Sequence, residues 1–245
     1  IAVAKSGEAS IVWSEATKKW LKEFLEDGKR KKIVYDGKAL LHIFKKENIE
    51  SIIHLAARAG IRPSIKNPIL YQEVNIGGTH TILEAAREHN VQSLILASSS
   101  SIYGNQKKTP FSEDDRVDHP ISPYAATKRA MELLAYTYHH LFGMNITCPR
   151  FFTVYGERGR PDMAPYLFTE KILKGEEIQK FGDGTSKRDY TYVGDIVEGI
   201  TKCLDKKFGY EIINLGNNNP ISLNEFIEIL EKATGKKANI KELPM

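Results

Sequence analysis

"SLILASSSSIYG", Ser93–Gly104, decides the fold. The run SLILA has the length and composition of a strand buried on both faces, and four consecutive serines follow it where the core ends. Strands of that kind belong to parallel sheets, and in open parallel sheets ligands bind in the crevice at the carboxyl ends of the strands. Ser98–Ser101 therefore predict a cleft lined by hydroxyls. Further along, "SPYAATKRA" (Ser122–Ala130) sets Tyr124 and Lys128 four apart, on one face of a helix.

Outward from that strand, short apolar runs alternate with longer helical stripes, the pattern of a parallel sheet covered by helices on both faces. Strands are expected at Lys32–Tyr35, Ser51–Leu55, Ser93–Ala97, Asn145–Arg150, Arg188–Tyr192 and Glu211–Leu215. Val74, Gly78, Ile82 and Ala86 repeat every four residues, so small side chains would let that helix approach the sheet. The next helix opens with Ser122 as N-cap and Pro123 at its first position, and ends at Gly143. Its apolar residues Ala126, Ala130, Leu133, Leu134, Thr137 and Leu141 predict the buried stripe, with Tyr124 and Lys128 beside it. "SLNEFIEILEKATG" begins with a capping box, Ser222 to Glu225, and would bury Leu223, Phe226, Ile227 and Leu230. Gly- and Pro-rich stretches at Gly156–Pro165 and Gly182–Lys187 predict that the chain leaves the sheet and returns, building a smaller lobe over the strand ends.

At 245 residues and 41% apolar content the chain can bury a substantial core. Its 35 Lys and Arg against 31 Asp and Glu give a net charge of +4, and the one dense basic run, Lys29–Lys32, reads as a solvated turn, so no nucleic-acid partner is expected. The two cysteines, Cys148 and Cys203, sit in apolar segments and predict buried free thiols in a reducing compartment. The sequence contains neither a membrane-spanning stretch nor a signal pattern at its first residues, and a cytoplasmic protein with no membrane contact is expected. No metal site is expected.

The hydroxyls, the tyrosine and the lysine suit proton abstraction from an alcohol. A phenol with a pKa near 10 is only about 0.1% ionised at neutral pH. Lowering that pKa by about 3 takes roughly 4 kcal/mol of preferential anion stabilisation, which a neighbouring ammonium and a cationic cofactor ring supply in a partly desolvated cleft. Tyr-x-x-x-Lys pairs are common on helix surfaces; the serine-rich strand end just before this one gives it a chemical context.

Together with "HLAA" (His54–Ala57), "RFFTVYG" (Arg150–Gly156), "GRPDMA" (Gly159–Ala164) and "RDYTYVGDIVEGI" (Arg188–Ile200), these motifs resemble the extended short-chain dehydrogenase/reductase family of nucleotide-sugar epimerases and dehydratases. The match runs from about Asp36 to the end. The resemblance implies an α/β fold: a Rossmann-like doubly wound parallel sheet over residues 1–155, with 183–215 returning to it, and a smaller C-terminal substrate-binding lobe from 156–182 and 216–245. It implies tightly held NAD, contacted by Asp36, Leu55, Ala56, Ala57, Asn75, Ala97, Ser98, Tyr124 and Lys128. Tyr124 would deprotonate the sugar 4-hydroxyl while hydride leaves carbon 4, Lys128 would depress the tyrosine pKa, and Ser99 would orient the hydroxyl. Gln179 and Phe181 would flank uracil and Arg188 would meet the pyrophosphate of a UDP-sugar. A homodimer built partly on the Tyr124 helix is implied as well.

In the family's 4,6-dehydratases an Asp-Glu pair follows the catalytic threonine, and the decarboxylating enzymes carry a glutamate nearby. Here those places hold Ser100 and Ser101, which disfavours both reactions and suits an anionic sugar substituent. With Thr153 and Arg160 they would hold a carboxylate, so the chain most resembles the bacterial UDP-glucuronate 4-epimerases. UDP-glucose 4-epimerisation shares the chemistry and is the alternative. The family's glycine fingerprint, GxxGxxG, is absent from "IAVAKSGEAS", Ile33 stands where the adenine-binding aspartate is usual, and "ELPM" stops where the family continues. These departures leave a non-catalytic nucleotide-sugar-binding protein as the reading of another class, and a truncated chain as their simplest account.

Overall fold

A computed structural model describes residues 2–4, 32–33 and 49–244. The described residues form two compact units, one reaching to Phe151 and taking in Gly199–Asn214, the other made of Phe152–Glu198 and the residues from Leu215 on.

In chain order the first unit contains β1 (Ala2–Ala4), β2 (Lys32–Ile33), β3 (Ser51–His54), α1 (Ile61–Lys66) and α2 (Pro68–Tyr71), which runs through a π-helical stretch, Gln72–Gly77, into α3 (Gly78–Glu88). Then come β4 (Ser93–Leu96), β5 (Ser98–Ser99), a 3-10 turn (Ser100–Tyr103), α4 (Pro123–Phe142) and β6 (Ile146–Phe151). The second unit begins with β7 (Thr153–Tyr155), α5 (Ala164–Lys174), β8 (Glu177–Phe181) and β9 (Lys187–Tyr192). Helix α6 (Val193–Leu204) and β10 (Tyr210–Leu215) return the chain to the first unit, and β11 (Pro220–Ser222), α7 (Leu223–Thr234) and β12 (Asn239–Leu243) complete the second.

The main sheet runs β10-β6-β4-β3-β1-β2, with β5 paired to β6. Its centre is parallel: Ser51–His54 lie in register with Ser93–Leu96, Leu94 faces Ile146, and Ser98 faces Arg150. Every residue of β4 is buried, which is why the strand reads as an unbroken apolar run. Contrary to the all-parallel expectation, β1 pairs antiparallel with both β3 and β2. Antiparallel strands at the margin of an otherwise parallel sheet are an ordinary variant.

Two helical faces differ from the sequence reading. In α4 the buried residues are Ala125, Thr127, Lys128, Met131, Glu132, Ala135 and Tyr138. Of the stripe expected inside, Leu134 packs against the core and Ala130 is half-buried, but Leu133 and Leu141 are 53% and 62% exposed, with Tyr136 and Phe142 beside them. In the preceding helix Ile82 and Ala86 are buried, whereas Val74 is exposed. The π-helical turn adds a residue to the register there and brings Asn75 and Thr79 inward. Helix caps follow the sequence: Ser122 Oγ accepts from Ala125 N at 3.1 Å, and Gly143 closes α4 in the left-handed region.

In the second unit β9 pairs parallel with β7 and antiparallel with β11, while β8 and β12 form a parallel pair. Residues 183–198 thus cluster with this unit and not with the main sheet. Its core joins Phe168, Ile172, Ile178, Tyr190, Phe226 and Ile227, with the Tyr190 and Phe226 rings stacked at 4.5 Å. The capping box at Ser222 and Glu225 forms. Both cysteines are free and buried, and among the described residues no helix is long and apolar enough to cross a membrane.

Candidate active site

Strands β3 and β4 end side by side, so the loop after His54 and the serines after Ala97 share one edge of the sheet. Ala97 N donates to His54 O at 3.0 Å, tying the two ends together. Beyond them the chain bends tightly. Ser99, extended at φ −156° and ψ 142°, caps the 3-10 turn: its Oγ accepts from Ser101 N and meets Ser101 Oγ, both at 3.2 Å. Gly104 closes the turn at φ +61°, where an added Cβ would lie 2.9 Å from His119 O.

Helix α4 packs against this turn and brings Tyr124 and Lys128 to it. Lys128 is buried, and its Nζ donates to Ala97 O at 2.6 Å. Burial pushes its pKa down to about 8, against the pull of Cys148 and Glu132 toward the charged form. One turn earlier, Tyr124 is half-buried, its ring edge-on to Tyr71 at 6.3 Å. The Tyr71 hydroxyl in turn donates to Ala59 O at 2.8 Å.

Of the residues assigned to NAD, Leu55 is exposed and Ala56 and Ala57 are half-buried in the loop after β3. Asn75 holds that loop: Oδ1 accepts from Arg58 N at 2.7 Å, and Nδ2 donates to Arg58 O at 3.1 Å and to Thr127 Oγ1 at 3.0 Å. The amide is thereby largely committed to the chain itself. Ser98 is likewise engaged, donating from Oγ to Glu132 Oε1 at 2.6 Å. Ser100 and Ser101 are half-buried at the start of the turn. Asp36 lies outside the described residues.

Beneath the serines is a polar cluster that sequence reasoning missed. Glu132, wholly buried, receives Arg150 through Nε at 2.9 Å and Nη2 at 3.0 Å, and Arg129 at 3.1 Å. Arg150 turns its remaining nitrogen to the Tyr103 hydroxyl at 2.8 Å and Glu113 O at 3.2 Å. Burial works against the Arg150 charge, but Glu132 and Tyr103 more than offset it and hold the guanidinium charged. Tyr103 Oη donates to Asn214 Oδ1 at 2.7 Å, and its ring stacks on Phe111. His54 is buried with neither ring nitrogen partnered among the described residues, and burial, then Lys128, drives its pKa down to about 3. The four-residue step from Tyr124 to Lys128 continues to Glu132, which was the visible signal for that residue.

The other assigned residues belong to the second unit. Thr153 is half-buried on β7, opposite Tyr190. Arg160 forks onto Asp162, with Nε 3.0 Å from Oδ1, and helps line a cavity of about 670 Å³ together with Tyr155, Tyr166, Asn217 and Ile229. Gln179 and Phe181 project from the same, outward face of β8, and Arg188 is exposed on β9.

The chain matches the NAD dependent epimerase/dehydratase family over residues 15–216. It is 51% identical over 210 residues to an uncharacterised protein of Methanocaldococcus jannaschii, covering 86% of this chain and 64% of that one. It is 54% identical over 201 residues to a UDP-glucuronate 4-epimerase of Thermodesulfobacterium geofontis, covering 82% and 62%. It therefore spans just under two thirds of the length of these curated relatives. A solved UDP-glucuronic acid 4-epimerase from Bacillus cereus, in complex with UDP-glucuronic acid and NAD, superposes with a TM-score of 0.83 at 35% identity, covering 93% of this chain and 73% of that one. By the extent of its family match and the identity of its relatives, the chain belongs to the NAD dependent epimerase/dehydratase family.

Proposed function

We propose that this protein epimerises a UDP-sugar at carbon 4 with NAD as a recycled cofactor, interconverting UDP-glucuronate and UDP-galacturonate in preference to the neutral sugars. The observation that carries the reading is Lys128: a buried ammonium seated on Ala97 O, one residue before the serines and one turn after Tyr124. Burying a charge is costly, and we assign this one to hold the phenol of Tyr124, one helical turn away, as the anion. Its three N–H groups meet one acceptor among the described residues, which leaves two donors suited to the hydroxyls of a nicotinamide ribose. NAD, when bound, supplies the group that takes hydride from carbon 4 and gives it back. Tyr124 removes the proton of the 4-hydroxyl and later returns it, and Ser99 orients that hydroxyl.

The choice of sugar rests on chemistry at the turn. Ser100 and Ser101 are neutral donors where an acidic pair would repel a carboxylate, and Thr153 and Arg160 complete the set we assign to it. Gln179 and Phe181 are assigned to uracil and Arg188 to the pyrophosphate. The names of the Thermodesulfobacterium and Bacillus proteins support the same sugar. A soluble nucleotide-sugar and two free thiols suit a cytoplasmic setting. The exposed apolar face of α4, with Leu133, Tyr136, Leu141 and Phe142, supports a two-fold dimer, and Leu133→Glu with Leu141→Glu should give a monomer by sedimentation.

The deciding experiment follows sugar proton signals by NMR with NAD and either UDP-glucuronate or UDP-glucose. The uronates should interconvert at least about tenfold faster, and Tyr124→Phe should lose at least about a hundredfold in rate with the fold intact. Equal or faster turnover of UDP-glucose moves the assignment to the neutral sugar. Turnover of neither sugar, with UDP still bound, leaves a binding protein.

A further inference from the structure

Helix α4 meets the end of β4 at two adjacent points. Lys128 donates to the carbonyl of Ala97, and Glu132, the next residue on that face, accepts from the hydroxyl of Ser98. Consecutive residues on the strand side are thus bonded to residues four apart on the helix, so the helix can neither slide nor rotate without breaking one bond. Tyr124 lies one further step along the same row.

The carboxylate of Glu132 is held from every side. Oε1 takes Ser98 Oγ at 2.6 Å and Arg150 Nε at 2.9 Å, and Oε2 takes Arg150 Nη2 at 3.0 Å and Arg129 Nη1 at 3.1 Å. Four donors fill its acceptor directions. Arg150 stands directly opposite Ser98 on the neighbouring strand, so the ion pair is anchored in the sheet and not in a loop. Well-packed apolar side chains often stabilise such a place as well as a buried ion pair does. What the pair adds is direction, since apolar surfaces slide and forked hydrogen bonds do not.

We infer that Glu132 is a positioning residue of this site: clamped between Arg150 and Ser98, its carboxylate fixes the helix that carries Tyr124 and Lys128 against the strand end that carries the serines. The inference rests on Tyr124 acting as the base. A displacement of about 1 Å between a catalytic group and its target can cost about a hundredfold in rate. Glu132 also acts on Lys128 through charge. The groups facing that ammonium are His54 from β3, Cys148 from β6 and Glu132 from its own helix, and Glu132 is the carboxylate that opposes the effect of burial.

The test uses the whole chain with Ser98→Ala, Glu132→Gln and both together. Each single variant should lower kcat for UDP-glucuronate at least about tenfold with KM within about threefold, at temperatures where circular dichroism shows it folded. The double variant should fall no further than Glu132→Gln, because both remove one link. Multiplying losses would instead mean that Ser98 serves the cofactor directly, and would overturn the clamp. Independently of turnover, the Lys128 side-chain NMR titration should move about one pH unit lower in Glu132→Gln; an unmoved midpoint overturns the inference. Should Glu132→Gln fail to fold, Ser98→Ala decides alone, since Glu132 keeps both arginines: kcat within twofold of the unsubstituted chain refutes the clamp. If that chain turns over neither sugar, the proposed activity fails, and the Lys128 midpoint still reports on Glu132.

Discussion

Replacing Lys128 by Met isolates the free energy that burial places on this ammonium. In the fold the side chain titrates at about 8, against 10.5 for the free amine, with burial the leading cause. A base depressed in this way has its folding contribution fully present above 10.5 and loses it as pH falls through about 8. Within that window the unfolded chain binds the proton and the folded chain does not, so stability rises with pH. With these two midpoints, raising the pH from about 7.5 to about 9.5 should stabilise the unsubstituted chain by about 2 kcal/mol relative to Lys128→Met. Taking the difference between the two proteins removes most of what other groups contribute, including Cys148, whose thiol burial pushes up. Urea unfolding at several pH values, followed by circular dichroism, reads the quantity directly. A difference flat to within about 0.5 kcal/mol would mean that Lys128 is solvated in the folded protein, and the account of Tyr124 activation by a desolvated ammonium would fall with it. The same variant should lose turnover at every pH, because the cation assigned to Tyr124 in the proposed function is gone.

Two further outcomes follow from the buried polar groups. Tyr103→Phe keeps the ring stacked on Phe111 and under Arg150 but removes an acceptor from the guanidinium and a donor from Asn214, so it should cost about 3 kcal/mol and lower Tm by roughly 6–12 °C, whereas Tyr192→Phe, on the exposed Glu157, should cost under about 0.5 kcal/mol; calorimetry compares them. His54 folds neutral, its pKa lowered from 6.5 to about 3, so its contribution is present above 6.5 and lost as pH falls toward 3; from about pH 6.5 to about pH 4.5 the unsubstituted chain should lose about 2 kcal/mol more than His54→Leu, and parallel acid limbs in urea melts would contradict the burial of a neutral ring.

Much of the architecture was legible because buried parallel strands leave a simple trace. An apolar run with hydroxyls at its end located β4 and the turn after it, and the caps at Ser122 and Ser222 located two helices to the residue. The antiparallel pairing of β1 and the place of β9 were not legible, since a short strand carries no mark of which neighbour it will pair with. The inner face of α4 misled for a more instructive reason. Hydrophobic periodicity finds the apolar face of a helix, and in most helices that is the face toward the core. Here Leu133 and Leu141 face outward, and the buried face carries Lys128 and Glu132 among Ala125, Met131, Ala135 and Tyr138. That burial is affordable only because each charge has a designated partner: Ala97 O for the lysine, Arg150 and Ser98 for the glutamate. Arg150 is itself a buried charge, and it needs Tyr103, which needs Asn214 from the far end of the unit. No window of sequence contains that chain of dependence, because its members span from residue 97 to residue 214 and meet only in the fold. Two charges among its buried residues give the helix a fixed row of polar groups toward the strand end, held in place by partners that hydrophobic packing alone would not require.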